Sequence, residues 1–409
     1  MDKLPIFSLR HIINQNATLQ KPSEVLLSSI LNKAAFLEAK AEIHEWPDYK
    51  PTPLVSLAGL ADMLGIDCLF YKDESKRFSL KSFKALGGAY AVLRVVAREL
   101  NLQGIKVEGL TDLLAGTYLA RIKAITVCCA TDGNHGRAVA WAAQMIGCRS
   151  LIYLHEGVSP LRAREIEAYG ADICRVSGSY DDSVRQAAKD ADINGWFVVS
   201  DTSWDNYEEI PTWVMQGYMV MAEEADIQWP VSGPITHIVV QGGVGGLAAA
   251  VSGYFWRVLG DKRPRMILVE PDRADCITRS IIAGTPVTVG GNISTFMACL
   301  AAAEMSPVAW KILKHTIDDA IVIPDNAAKK TMHLLANGIA NDPCLVSGES
   351  GCASTAALIA ACRKGEVFKS LGLDRNARVL VIGSEGATDP EIYQKIVGMT
   401  AEEVIDRKP

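Results

Sequence analysis

Two hydrophobic periods alternate along most of this chain. Short apolar runs read as buried strands: Cys68–Tyr71 (CLFY), Ala124–Ala130, Ser150–Leu154, Asp172–Val176 and Trp196–Ser200. Between them lie stretches whose apolar residues recur three and four positions apart, the spacing of one helix face. Ala85–Leu100 carries Leu86, Tyr90, Leu93 and Val96 on that face, and Arg137–Ile146, Ser159–Tyr169 and Asp181–Ile193 repeat the pattern. A second series predicts helix Thr212–Ala225, strand Ile235–Gln241, helix Gly246–Val258 and strand Met266–Glu270. Helices near Thr295–Glu304, Asn326–Asn337 and Gly351–Arg363 follow, then a last strand, Arg378–Ile382, and a helix, Pro390–Gly398. Towards the N-terminus the pattern gives helix Pro22–Ala41, an extended run stiffened by prolines over Tyr49–Leu54, and a short helix, Ser56–Leu64. Residues 1–20 read as a weakly patterned arm and Asn101–Arg121 as a partner-facing insertion. Strands alternating with helices predict parallel sheets covered on both faces, an α/β protein.

Composition narrows the class. The 409 residues suffice for about two domains, and 49% hydrophobic with 22% charged residues is ordinary for a globular protein. A net charge of −6 argues against nucleic acid or an anionic membrane as partner. No apolar run approaches the ~18 residues that span a bilayer. The first residues, MDKLPIFSLRHIINQN, lack a signal-peptide pattern. The ten cysteines are scattered, and none forms a C-x-x-C pair. Reduced core thiols in the cytoplasm, and no metal site, are therefore expected.

Chemistry concentrates first in Asp73–Tyr90, DESKRFSLKSFKALGGAY, where a loop turns into a helix. With Ser82 as cap, Lys84 falls in the first helical turn, beside N–H groups and the positive end of the dipole. A cation is out of place there. An amine held in a positive, partly desolvated position has a lowered pKa and attacks carbonyls. Lys72, Lys76, Lys81 and Lys84 all crowd this stretch, and a solvated basic loop gives the same pattern, so local chemistry leaves the choice open.

Two strand-to-helix loops follow. Ala130–Gly136 (ATDGNHG) places glycines and N–H groups where an anion could sit, and Gln241–Gly246 (QGGVGG) makes a phosphate cradle at a helix N-terminus. Neither matches a dinucleotide fingerprint, and the second lacks the Lys-Ser/Thr ending of a P-loop. Both loops are expected at the carboxyl ends of parallel strands. A reactive lysine with a phosphate cradle suggests pyridoxal phosphate.

The order Ser82-Phe83-Lys84, Asp132-Gly133-Asn134-His135-Gly136, Gly242-Gly243-Val244-Gly245-Gly246 resembles the tryptophan-synthase-β-like (fold type II) pyridoxal-phosphate enzymes. Within them the chain resembles the ammonia-lyases of diaminopropionate. That closer likeness rests on Lys72–Phe78, Thr131–Gly136 with Val139–Ala143, Ile210–Trp213 with Met215–Tyr218, Val269–Asp272 with Ala274–Cys276, and Ser347–Gly351. It implies two parallel-sheet α/β domains with the cofactor in the cleft between them. A larger domain would take residues 21–85 and 208–400, and a smaller one 86–207.

The resemblance implies that Lys84 carries the Schiff base, that Phe83 packs near the ring, and that Asn134 binds its hydroxyl. Gly242, Gly243, Val244, Gly245 and Gly246 would hold the phosphate. The pyridine nitrogen would meet Ser384, with Thr388 as rival, because Gly383 stands where related dehydratases have a small hydroxyl residue. Thr131, Asp132, Gly133 and His135 would face the substrate. Asp132 replaces the serine of hydroxy-amino-acid dehydratases, so it would attract a substrate with an extra ammonium and act as a base; helix capping near Arg137 is its plainer role. Asp201 is a second acidic candidate at a strand end. The implied reaction is α,β-elimination of 2,3-diaminopropionate, D and L, to pyruvate and ammonia, by a homodimer. Serine, threonine or hydroxyaspartate dehydration, a non-catalytic ligand-binding relative, and a nucleotide-binding Rossmann protein are the alternatives.

Overall fold

In a computed structural model that describes residues 4–19, 24–131, 133–178, 180–231 and 233–407, the chain forms two compact units. The first comprises residues 1–30, 51–82 and 221–409, the second 31–50 and 83–220. Among the described residues no helix is long and apolar enough to cross a membrane.

The first unit is built on a seven-stranded sheet. Its strands are β1 (Arg10–Ile13), β2 (Leu54–Ser56), β3 (Cys68–Asp73), β8 (His237–Gln241), β9 (Arg265–Pro271), β10 (Asp319–Ile323) and β11 (Arg378–Gly383), in the order β1-β10-β9-β8-β11-β3-β2. Only the edge strands β1 and β2 run antiparallel. The register pairs Val239 with Val381 and Gly383 with Asp73. The loops after β3, β8 and β11 therefore leave the sheet at one edge, where α/β sheets bind ligands. The second unit has a parallel sheet of β4 (Thr126–Ala130), β5 (Arg149–His155), β6 (Asp172–Val176) and β7 (Phe197–Val198), ordered β6-β5-β4-β7. β4 is buried throughout, as its uninterrupted apolar run requires.

Several expectations are corrected. The helix expected over Pro22–Ala41 breaks at Asn32, whose side chain accepts a hydrogen bond from the Ala35 N–H and starts a new helix, Lys33–His44. That second helix belongs to the second unit, with Trp46 edge-on to Trp141 at 5.7 Å and Glu42 accepting from the Leu110 N–H, so residues 31–50 do not follow the 21–85 assignment. The N-terminal arm contributes β1 to the large sheet. Thr295–Glu304 is not a helix apart from a single 3-10 turn, Ala298–Leu300. Two of its N–H groups go to side chains, Met297 to Thr295 Oγ1 at 3.2 Å and Cys299 to Ser350 Oγ at 3.2 Å, and those of Ala298, Leu300, Ala301 and Ala302 go to carbonyls only two or three residues back.

The glycine at 383 has a steric cause. A Cβ there would lie 2.0 Å from Cζ of Tyr71, whose fully buried ring is fixed by a hydrogen bond from its hydroxyl to Ser347 Oγ at 2.7 Å. Gly383→Ala should therefore destabilise the protein by about 1–3 kcal/mol, as overpacking does. The measurement is a lower urea midpoint at unchanged slope. An unchanged midpoint would show that the Tyr71 ring has room to move.

Candidate active site

The helix Lys84–Leu102 begins at the lysine, and its N-cap position is Phe83 rather than Ser82. Two glycines let neighbours close on its first turns. A Cβ at Gly87 would lie 2.4 Å from Cε1 of Tyr218 and 2.5 Å from the Val214 carbonyl; one at Gly217 would lie 2.3 Å from the Leu86 carbonyl. This close approach sets the Tyr218 ring edge-on to Phe83, with centroids 4.7 Å apart at 61°. Lys84 Nζ lies 5.2 Å from the Phe83 centroid and 6.0 Å from that of Tyr218.

The Lys84 ammonium is ion-paired with the Asp201 carboxylate, both side chains being largely buried. Burial pushes the Asp201 carboxyl up, but the Lys84 ammonium, His135 and the hydrogen bonds it accepts together hold the group down at about 2. Asp201 follows β7, next to β4, so the 131–136 loop and Asp201 leave the sheet from adjacent strands. His135 joins these two loops: its Nε2–H donates to the Val199 carbonyl at 2.8 Å. Burial lowers its pKa, which favours the uncharged ring. Its Nδ1 has no hydrogen-bond partner among the described residues.

Thr131 Oγ1 accepts from the N–H groups of Gly133 at 3.0 Å and Gly136 at 3.2 Å, which ties the turn to the start of the helix Asn134–Ile146. Gly133 has φ +151°, which favours glycine. Asn134 is buried at the first helical position. Asp132 lies outside the described residues. The structure thus brings Lys84, Phe83, Asp201 and His135 together in one unit, and adds Tyr218. The sequence marked Tyr218 only as part of a motif; its spacing from Gly217 gave no hint that its ring meets Phe83.

The remaining candidates are in the first unit. Gly242–Gly246 joins β8 to the helix Gly246–Leu259. Glycine is required at three of these positions: a Cβ at Gly242 would lie 2.7 Å from Cγ of Glu270, and Gly243 and Gly245 have φ of +62° and +94°. Glu270 accepts from the Ile277 and Thr278 N–H groups at 3.0 and 2.7 Å. Burial pushes its carboxyl up to about 7. After β11, Ser384 is buried. The Thr388 hydroxyl donates to Glu385 at 3.2 Å. A glycine-rich loop at a helix N-terminus fits a phosphate, and a largely buried primary amine beside two rings fits an aromatic aldehyde. Each set, taken by itself, fits one part of pyridoxal phosphate, the phosphate in the first unit and the aldehyde in the second. No cluster of metal-ligating side chains occurs among the described residues.

The family described as "Pyridoxal-phosphate dependent enzyme" matches residues 46–384. Diaminopropionate ammonia-lyase of Escherichia coli (strain K12) is 38% identical over 401 residues, 96% of this chain and 98% of that protein. The enzyme of the same name from Salmonella typhimurium is 39% identical over 90% of this chain and 93% of its own length. The crystal structure of holo diaminopropionate ammonia-lyase from Escherichia coli superposes with a TM-score of 0.85 at 35% identity, over 97% of this chain and 98% of that one.

Proposed function

From a chain that belongs to the diaminopropionate ammonia-lyases, within the pyridoxal-phosphate-dependent enzymes, we propose a carbon–nitrogen lyase acting on 2,3-diaminopropionate. Both isomers are eliminated, and each substrate with one water gives pyruvate and two ammonia. The observation that carries this reading is the buried Lys84, ion-paired with Asp201 at the start of its helix.

Pyridoxal phosphate, when bound, supplies the electron sink that lets a proton leave Cα. Lys84 provides the amine that holds its aldehyde, with Phe83 beside the ring and Asn134 towards the ring hydroxyl. The N–H groups of Gly242, Gly243, Val244, Gly245 and Gly246 take the phosphate. Ser384 is assigned to the pyridine nitrogen, a choice supported by the engagement of Thr388 with Glu385. A hydroxyl there does not keep the ring protonated as a carboxylate would, which favours expulsion of a β group. Asp132 attracts the substrate's extra ammonium and keeps the departing nitrogen protonated, the form in which it leaves. Gly133 allows the chain to turn beneath the substrate. Thr131 and His135 act there by shaping the loop, since Thr131 holds its backbone and His135 ties it to the Val199 carbonyl. The family resemblance implies a homodimer, and ten free thiols support a cytoplasmic setting.

The test is selectivity. kcat/KM for diaminopropionate should exceed that for serine and threonine by on the order of 10²-fold or more, as expected when an acidic group must recognise an ammonium. Serine as the best substrate would return the chain to the dehydratases.

A further inference from the structure

Apart from these residues, the first unit holds a buried cluster of four charges: Lys72 on β3, Glu74 and Arg77 just after it, and Glu224 near the end of the helix Glu209–Ile227. Arg77 donates through Nε and Nη2 to Glu74 at 2.8 and 2.9 Å, and through Nη1 and Nη2 to Glu224 at 2.8 and 2.7 Å. Lys72 Nζ donates to Glu224 at 2.7 Å, to Gln228 at 2.9 Å and to the Thr52 carbonyl at 2.8 Å. Two cations face two anions, so the cluster is neutral. Burial would raise the Glu224 carboxyl, but Arg77 and Lys72 hold it down at about 2.

Such a cluster adds little net stability over well-packed apolar side chains. What apolar packing cannot supply is direction: the guanidinium fork fixes two carboxylates in one plane. Thr52, Arg77 and Glu224 stand close to three points where the chain passes from one unit to the other, 50/51, 82/83 and 220/221. The Arg77 carbonyl accepts from the Lys81 N–H at 3.1 Å, and the Lys81 carbonyl accepts from the Gly386 N–H at 3.0 Å. Between them Phe78 and Lys81 hold φ of +48° and +56°, a path that ordinary residues adopt only when held. The helix that carries Glu224 also carries Tyr218, whose ring meets Phe83.

We propose that Arg77 and Glu224 are positioning residues for Lys84, aiming the segment that delivers the lysine through one buried ion cluster. The proposal rests on Lys84 being the residue that holds the cofactor. The decisive variant is Arg77→Met with Glu224→Gln, which removes one charge of each sign and leaves Lys72 and Glu74 balanced. The full chain is resolved from its cofactor and reloaded with pyridoxal phosphate, and growth of the visible band is timed. Loading rate and kcat should each fall about 10- to 100-fold, the scale of a misplacement of about 1 Å. KM should stay within about twofold and the melting temperature within a few degrees of the parent, and Arg77→Lys should fall between the two. Loading and kcat within twofold of the parent in the folded double variant would overturn the proposal, as would a lower melting temperature alone. If the double variant does not fold, Arg77→Lys decides: it keeps the charge but loses the fork, and an unchanged loading rate overturns the proposal. Borohydride label on another lysine in the parent would overturn the lysine assignment, and the proposal with it. Label on Lys84 with unchanged loading in the variant overturns the proposal alone.

Discussion

Lys84→Ala is expected to lose turnover of both diaminopropionate isomers together with the visible band of lysine-bound pyridoxal phosphate, whereas Lys81→Ala keeps both. The two lysines are three residues apart in sequence but differ in setting. Lys84 opens a helix, lies 5.2 Å from the Phe83 centroid and pairs with Asp201. Lys81 sits in the preceding loop with φ +56°, and its backbone is bonded to Arg77 and Gly386. Both are half-buried, but it is Lys84 that lies beside two aromatic rings and a carboxylate, the setting an aldehyde requires. No other group replaces it in loading and releasing the cofactor, so the loss should be complete for D and L alike. Borohydride reduction followed by peptide mapping locates the labelled residue. Label on Lys81 would contradict the assignment.

Asp132→Asn should lower turnover of the D isomer by about 10²–10⁴, the usual cost of a lost general base, and that of the L isomer by less. An α proton leaves from one face or the other, and a single base does not reach both. We assign Lys84 to the L isomer and Asp132 to the D isomer. Asp201 is a poor candidate for either proton, because a carboxyl held at about 2 is a weak base near neutrality. Its work is on the lysine, so Asp201→Asn should depress both isomers together. The sign of its linkage follows. A depressed carboxyl stabilises the fold above the ordinary carboxylate range, and that contribution is lost as pH falls towards about 2, so Asp201 adds no limb to a neutral pH profile. Equal losses for D and L in Asp132→Asn would place that residue at the leaving group or in binding.

The parallel core of the fold was legible because β4, β8, β9 and β11 are apolar runs bounded by helical periodicity. β10 was not, although it is buried throughout. It opens with Asp319, a residue that reads as a turn, yet Asp319 is fully buried and paired with Arg265 at 2.6 Å and His11 at 2.8 Å. Those partners come from β9 and β1, and no local pattern announces them. The preceding helix, Pro307–Thr316, was lost with it. In the site, Lys84 and the two glycine loops stood out because chemistry and backbone geometry both restrict the residues allowed there. Tyr218 and Glu224 did not, since each looks like an ordinary position on an amphipathic helix. Their meaning comes from Phe83 and Arg77, far away in sequence.

Elimination of ammonia from diaminopropionate is read from the product balance of each pure isomer. The holoenzyme should release two ammonia for every pyruvate from both D- and L-2,3-diaminopropionate, with no reaction in the Lys84→Ala variant. Unconsumed diaminopropionate, or a product that keeps its β nitrogen, would contradict it.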